Sequence, residues 1–285
     1  MVATRAGVGA WTNDRSRQFI AIAMFTTVRW IQVQVNMSLK APRWYTALEQ
    51  ASTQNPNSSC ERFFGTSSSH RSGSVAVFQL ATIDEAGKPR VRSLINRAFL
   101  VPPSSPTLPL LVTSTDIRSP KIQQIAHADT VELVWYINAT MDQFRISGPA
   151  RIFAAPTYSI SPPRDAPDCA GIKALEASGF DWETKRRELF DAVGEEMRAT
   201  WCHPFPGRPL KGGYEEMDDW PVKVPKPSDA KTEREKELAE LALSNYAIIV
   251  IEPLNVDWMQ LAIKPNRRTL FVREGVDWKE EAVAP

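Results

Sequence analysis

The sequence predicts a mainly β protein with inserted helices, an α+β chain whose antiparallel strands close into a barrel. Three observations carry that expectation. Seven or so strand-like segments follow one another, most of them joined by short turns. Only one convincing helix interrupts them before residue 160, which is the wrong rhythm for alternating β and α units. There is no GxGxxG or Walker pattern, so a phosphate site here would be built from barrel side chains and the one helix start.

Each element has its own signal. "WYTALEQAS", from Trp44, reads as a short helix and is followed by a polar loop. "VAVFQLATI" (75–83) and "RVRSLINRAFL" (90–100) flank "DEAGKP", a Gly-Pro turn, and form a β-hairpin. "LPLLVTST" is the next strand. "TVELVWYI" (130–137) and "QFRISGPARIFA" (143–154) make a second antiparallel pair. "WETKRRELFDAVGEEMRATW" and "AKTEREKELAELALSNY" are helical in character, with the Pro-rich "DDWPVKVPKPSD" between them. "YAIIVIEP", "VDWMQLAI" and "RTLFVRE" return to strand, and the first is more apolar than one barrel interior needs. The expected organisation is a leader over 1–36 and one domain over 37–285, with a helical insertion at about 156–244.

The stretch "TSTDIRSPKIQQI" (113–125) places Arg118 and Lys121 around a Ser-Pro. On its own it reads first as an ordinary helix start: Ser119 at the N-cap, Pro120 at the first helical position, Ile122 and Ile125 toward the core. The sharper alternative is an anion site, where cations, hydroxyls and free backbone N–H groups converge.

Composition excludes several classes. The chain has 285 residues, 43% of them hydrophobic, and a net charge of +1, enough for a proper core but without the basic face of a general nucleic-acid binder. Cys60, Cys169 and Cys202 are widely spaced and show no CxxC pattern, which argues against a structural zinc site or a disulfide framework and fits a reducing compartment. No run approaches the ~18 apolar residues of a membrane-spanning helix. The first 36 residues set Arg5, Arg15, Arg17 and Arg29 against the single acid Asp14. A mitochondrial presequence, a disordered leader and an over-long start before Met37 are the readings of that segment. The expected location is cytoplasmic, with mitochondrial as the alternative.

"RVRSLINR", "TSTDIRSPKIQQI", "TVELVWYINATMDQFRISG" and "VDWMQLAIKPNRRTLF" resemble, in order and spacing, the pyridoxamine 5'-phosphate oxidase-like flavoproteins, which are FMN-binding split barrels. The "QLAT…G.P..R" hairpin and the "RSPK" helix start are most similar to the Alr-type branch. The resemblance implies FMN as cofactor and a homodimer with the flavin at the subunit interface. It places Arg92 at the start and Arg97 at the end of the family's R-x-x-x-x-K strand motif, with Ser93, Leu94 and Ile95 along the flavin between them. It puts Ser114 and Thr115 on the family's Tyr-Thr pair, Lys121 on its phosphate-binding lysine and Gln143 on a flavin-contacting glutamine. Met259 falls on its C-terminal tryptophan, with Trp258 alongside, and Arg268 on an FMN-binding arginine.

The chemistry is coherent with those positions. A terminal phosphate of roughly two negative charges needs several charge-assisted hydrogen bonds, which Arg92, Lys121, Thr115 and Ser119 can supply. Arg97 is the candidate cation for the charge that develops at the pyrimidine end of a reduced flavin. The family's phosphate arginine is replaced by Pro120, so Arg118, two residues upstream, is expected to compensate. The family's substrate-phosphate Arg-x-His is replaced by Lys264, Pro265 and Asn266. The implied function is an FMN-dependent oxidoreductase acting on a small molecule, with no assigned catalytic base, no metal, and neither nucleic acid nor membrane as partner. The alternatives are a non-catalytic flavin carrier or regulator, or a split barrel adapted to haem or a deazaflavin.

Overall fold

The computed structural model describes residues 40–54, 77–162 and 167–285. The expected 1–36 leader, Cys60 and the start of the strand expected from residue 75 lie outside the described residues.

Helix α1 (Arg43–Thr53) forms because Trp44, Tyr45, Leu48 and Ala51 recur on one face, and all four are buried. Strands β1 (Val77–Ile83) and β2 (Pro89–Leu100) are the expected hairpin. Its turn is fixed chemically: Asp84 accepts from the backbone N–H of Ala86 and Lys88 and from Arg90, and Gly87 sits at φ 72°, where a side chain would be strained. Then come β3 (Leu110–Asp116), helix α2 (Pro120–His127), and the expected antiparallel pair β4 (Thr130–Ile137) and β5 (Asp142–Phe153).

Helices α3 (Ala170–Ala177), α4 (Trp182–Asp191), α5 (Glu195–Thr200) and α6 (Glu233–Asn245) follow. The continuous helical run expected from Trp182 is broken at Val193–Gly194, and Gly194 becomes the N-cap of α5. Helix α6 starts on a capping box, with the Thr232 hydroxyl on the Glu235 N–H and the Glu235 carboxylate on the Thr232 N–H. The chain closes with β6 (Tyr246–Ile251), β7 (Asn255–Gln260), β8 (Arg267–Glu274) and β9 (Asp277–Val283). Among the described residues no helix is long and apolar enough to cross a membrane.

The pairings make an antiparallel split barrel. A ring runs β1–β2–β3–β6–β5–β4 and back to β1, while β7, β8 and β9 extend the sheet from β5. One edge of β5 serves two partners: Asp142–Ser147 pair with β7, and Ala150–Phe153 with β6. At the fork sits Gly148, where a Cβ would lie 2.0 Å from the Glu252 carbonyl oxygen, so only glycine lets the chains pass.

The core has two parts. Phe78, Leu80, Leu111, Trp135, Phe144, Ile249 and Ile251 fill the barrel and pack on α1. On the opposite face of the same strands, Leu110, Val112, Tyr246, Ile248 and Val250 pack under α3, α4 and α6. The apolar surplus of "YAIIVIE" over the needs of the barrel interior is thus buried by helices of the same chain and gives no sign of a dimer surface.

Candidate functional site

The site is built where β2, β3 and the start of α2 meet. Leu80 and Thr82 are successive inward positions of β1, and Arg92 stands opposite Leu80 on β2. The Arg92 guanidinium donates to the Leu80 carbonyl (3.1 Å), the Thr82 hydroxyl (2.7 Å) and the Gln124 side-chain carbonyl (2.7 Å). Gln124 also accepts from the Thr82 hydroxyl at 2.6 Å, so the guanidinium is aimed by groups that carry no charge.

Lys121 faces the same space. Its ammonium donates to the Thr115 hydroxyl at 2.8 Å and the Ser119 hydroxyl at 2.9 Å, and these two oxygens lie 3.2 Å apart. Ser119 occupies the N-cap position as expected, with Pro120 behind it, but its hydroxyl makes no capping bond and turns to Lys121 instead. Burial pulls the Lys121 ammonium down to about 8, and repulsion from Arg92 adds to this. Burial lowers Arg92 as well. The nearest carboxylate, that of Asp116, is already claimed.

It is claimed by Arg118. The Arg118 guanidinium pairs with Asp116 through Nε (2.9 Å) and Nη2 (2.6 Å), and Nη2 also reaches the Trp201 carbonyl at 3.2 Å. A carboxylate two residues upstream holds the side chain, and Arg118 shares no bonded partner with Lys121. The pair raises Arg118 above its ordinary value.

Arg97 and Ser114 lie on the other face of β3. Arg97 is the extra residue of a bulge between Asn96 and Ala98, and its Nε donates to the Ser114 hydroxyl at 2.9 Å. Side chains alternate along a strand. Ser114 therefore shares a face with Ile248 under the helices, while Thr115 pairs with Ala247 on the Lys121 side. Burial lowers Arg97 too, and no carboxylate stands among its bonded partners. The buried Tyr246 hydroxyl beside this pair makes no well-formed hydrogen bond.

The remaining residues lie further round. Leu94 pairs with Phe78 and points inward, whereas Ser93 and Ile95 point outward. Ile95 pairs with Val77, and continuing the registers across β4, β5, β7 and β8 puts Gln143, Met259 and Arg268 on the same outward row. Gln143 is three strands and Arg268 five strands from β2, about 14 Å and 24 Å around the sheet. Arg268 is held there by Asp257 (Nη2–Oδ2 2.8 Å). Within one chain these residues form a second patch. Trp258 points the other way, stacked on Phe144 in the core. A cavity of about 510 Å³ beside α3, lined by Ile152, Cys169 and Ile172, contains none of the candidate residues.

Sequence reasoning missed Thr82, Gln124 and Asp116. Gln124 had a legible signal, since it lies three residues after Lys121 on the same helix face. Thr82 is a polar residue on the inward alternation of an apolar strand.

The donor set fits a phosphomonoester. Two half-buried cations face one space with two hydroxyls, and neither is bonded to a carboxylate. Comparison with known proteins agrees. A family profile described as "Pyridoxamine 5'-phosphate oxidase, FMN-binding domain" matches residues 41–154, which contain every candidate except Met259 and Arg268. The chain is 28% identical over 225 residues to "Pyridoxine/pyridoxamine 5'-phosphate oxidase 2" of Arabidopsis thaliana, covering 76% of this chain and 90% of that one. The solved structure of a pyridoxamine 5'-phosphate oxidase-related, FMN binding protein from Nostoc punctiforme superposes with a TM-score of 0.57 at 22% identity, covering 86% of this chain and 100% of that one. The ring with its forked β5 thus has the fold of the pyridoxamine 5'-phosphate oxidase-like FMN-binding split-barrel superfamily.

Proposed function

We propose that this protein is an FMN-dependent oxidoreductase that works as a homodimer. The observation that carries the reading is the pairing of Arg92 with Lys121, two half-buried cations around hydroxyls with no carboxylate bonded to either. Such a pair is costly unless an anion completes it. Arg92, Lys121, Thr115 and Ser119 would hold the FMN phosphate and the backbone of Ser93, Leu94 and Ile95 would lie along the flavin, while Arg97 and Ser114, on the opposite face of β3, stand apart from that cluster within one chain. Bound FMN would supply hydride exchange at N5. The protein's part is to bind and to orient.

The separation of the two patches supports the dimer reading. The row of Gln143, Met259 and Arg268 lies three to five strands round the sheet from β2, and a second copy would bring its row toward the first copy's cations. The same cations favour FMN over haem, which has no phosphate. In its hairpin and helix-start motifs the chain resembles the Alr-type branch.

The Arabidopsis relative's name suggests vitamin B6 phosphates as substrates. Lys264 and Asn266, bonded to each other at 3.1 Å in an exposed turn, lack the planar fork of arginine and the imidazole of histidine. Oxidation of pyridoxamine 5'-phosphate is therefore expected to be weak or absent, read as oxygen consumption on adding it. The absorbance spectrum of the purified protein tests the cofactor: the two bands of oxidised flavin should accompany the dimer peak in size-exclusion chromatography. A monomer that retains FMN would remove the shared-site reading, and a protein that binds no FMN would remove both.

A further inference from the structure

We propose that Trp201 is a positioning residue for the phosphate locus, tying the helical layer to the segment that carries Thr115, Ser119 and Lys121. The inference rests on the FMN reading above and adds residues outside the matched motifs. Trp201 follows α5 and is 4% exposed, with its ring edge-on to Tyr246 at 4.9 Å. Its indole N–H donates to the Thr115 carbonyl at 3.3 Å, across from the residue's own hydroxyl that meets Lys121. Its carbonyl accepts from Arg118 at 3.2 Å and from the Asn245 amide at 2.8 Å. Arg118 in turn grips Asp116 by side chain and by its backbone N–H (2.8 Å), and the Asp116 carbonyl accepts the Ser119 N–H at 3.1 Å.

The chain of contacts runs Trp201, Thr115, Asp116, Arg118 and back to Trp201, enclosing the turn that leads into α2. Three of the four groups offered to a phosphate project from residues 115, 119 and 121, so their convergence depends on the shape of this turn. Fixing the turn in advance removes ordering entropy from the binding step. By linkage, whatever this loop contributes to phosphate binding, phosphate binding returns to the packing of Trp201. Arg118 thus acts on the phosphate through the loop rather than by touching it.

The test compares FMN with riboflavin, which lacks the phosphate. Trp201→Phe keeps a ring beside Tyr246 and deletes only the donor. Its FMN dissociation constant is expected to rise about tenfold and its riboflavin constant by less than about twofold, a loss of one hydrogen bond felt at the phosphate. Arg118→Met, on a half-exposed side chain, should show the same split and serves if Trp201→Phe does not fold. The indole N–H resonance absent from Trp201→Phe should shift in the wild type on adding FMN and stay in place on adding riboflavin. Equal weakening of both flavins, or no weakening of either, in the folded variant would overturn the positioning role. If wild-type protein itself bound FMN no tighter than riboflavin, the phosphate reading would fail first, before any variant was made, and this inference with it.

Discussion

Replacing Lys121 with methionine should weaken FMN binding and stabilise the ligand-free protein. Losing one charge-assisted contact to the phosphate costs about 1.5–3 kcal/mol of binding, read by fluorescence titration with FMN. The stability change has the opposite sign because the folded protein holds Lys121 at about 8 against an ordinary 10.5. Between those values the unfolded chain binds the proton more tightly, so stability rises with pH across that window and the full penalty is present below pH 8. Methionine removes the penalty and forfeits the bonds to Thr115 and Ser119, leaving a net gain of about 1–3 kcal/mol near pH 7. Urea unfolding of the apoprotein measures it. The same titration predicts that FMN affinity falls as pH rises through about 8, where the ammonium is lost before the ligand arrives. A variant less stable than wild type at pH 7, or an affinity flat from pH 7 to 9, would contradict the electrostatic account of the site.

Glu252→Ala should cost about 3–5 kcal/mol of stability, since it strands a buried charge. The Glu252 carboxylate is 1% exposed and pairs with Arg273, itself 8% exposed. It also accepts the Gly171 N–H at 3.1 Å and the Ile172 N–H at 3.2 Å, capping the first turn of α3 from the end of β6. Truncation leaves the guanidinium and two N–H groups unsatisfied. Glu252→Gln keeps the acceptor and loses only the charge, so its loss should be smaller, and the two urea midpoints together separate capping from ion pairing. Equal midpoints for Ala and Gln would mean that the carboxylate's hydrogen bonds contribute nothing.

The parts of the fold that the sequence disclosed are those with local causes. The β1–β2 hairpin, β4 and β5 alternate apolar and polar residues between turn signals, and α1 shows its apolar face directly. Where causes are distant the sequence is silent. The start of α3 has no Ser, Thr, Asp or Asn cap, because its capping carboxylate is Glu252, far along the chain. Strand β9 is an edge whose charged residues face solvent, so "DWKEEAV" lacks the apolar rhythm of a core strand. At the candidate site Lys121, Thr115, Ser119 and Arg92 were legible through motif and helix start. The partner of Arg118 was not legible, because proximity to Ser-Pro drew attention forward while Asp116, two residues before it, holds the side chain.

The position of β6 in the ring bears on how the chain is made. Strands β3 and β5 are neighbours of β6 and not of each other, and β6 is synthesised only after the whole helical segment. Until then a nascent chain carries two open strand edges, on β3 and β5, that no earlier strand of the chain pairs. Long-range pairing of this kind is slow and exposes the chain to aggregation. On the ribosome the barrel cannot close before Ile251 has emerged, so truncated products ending in the helical segment should be chaperone clients, however complete their first five strands are.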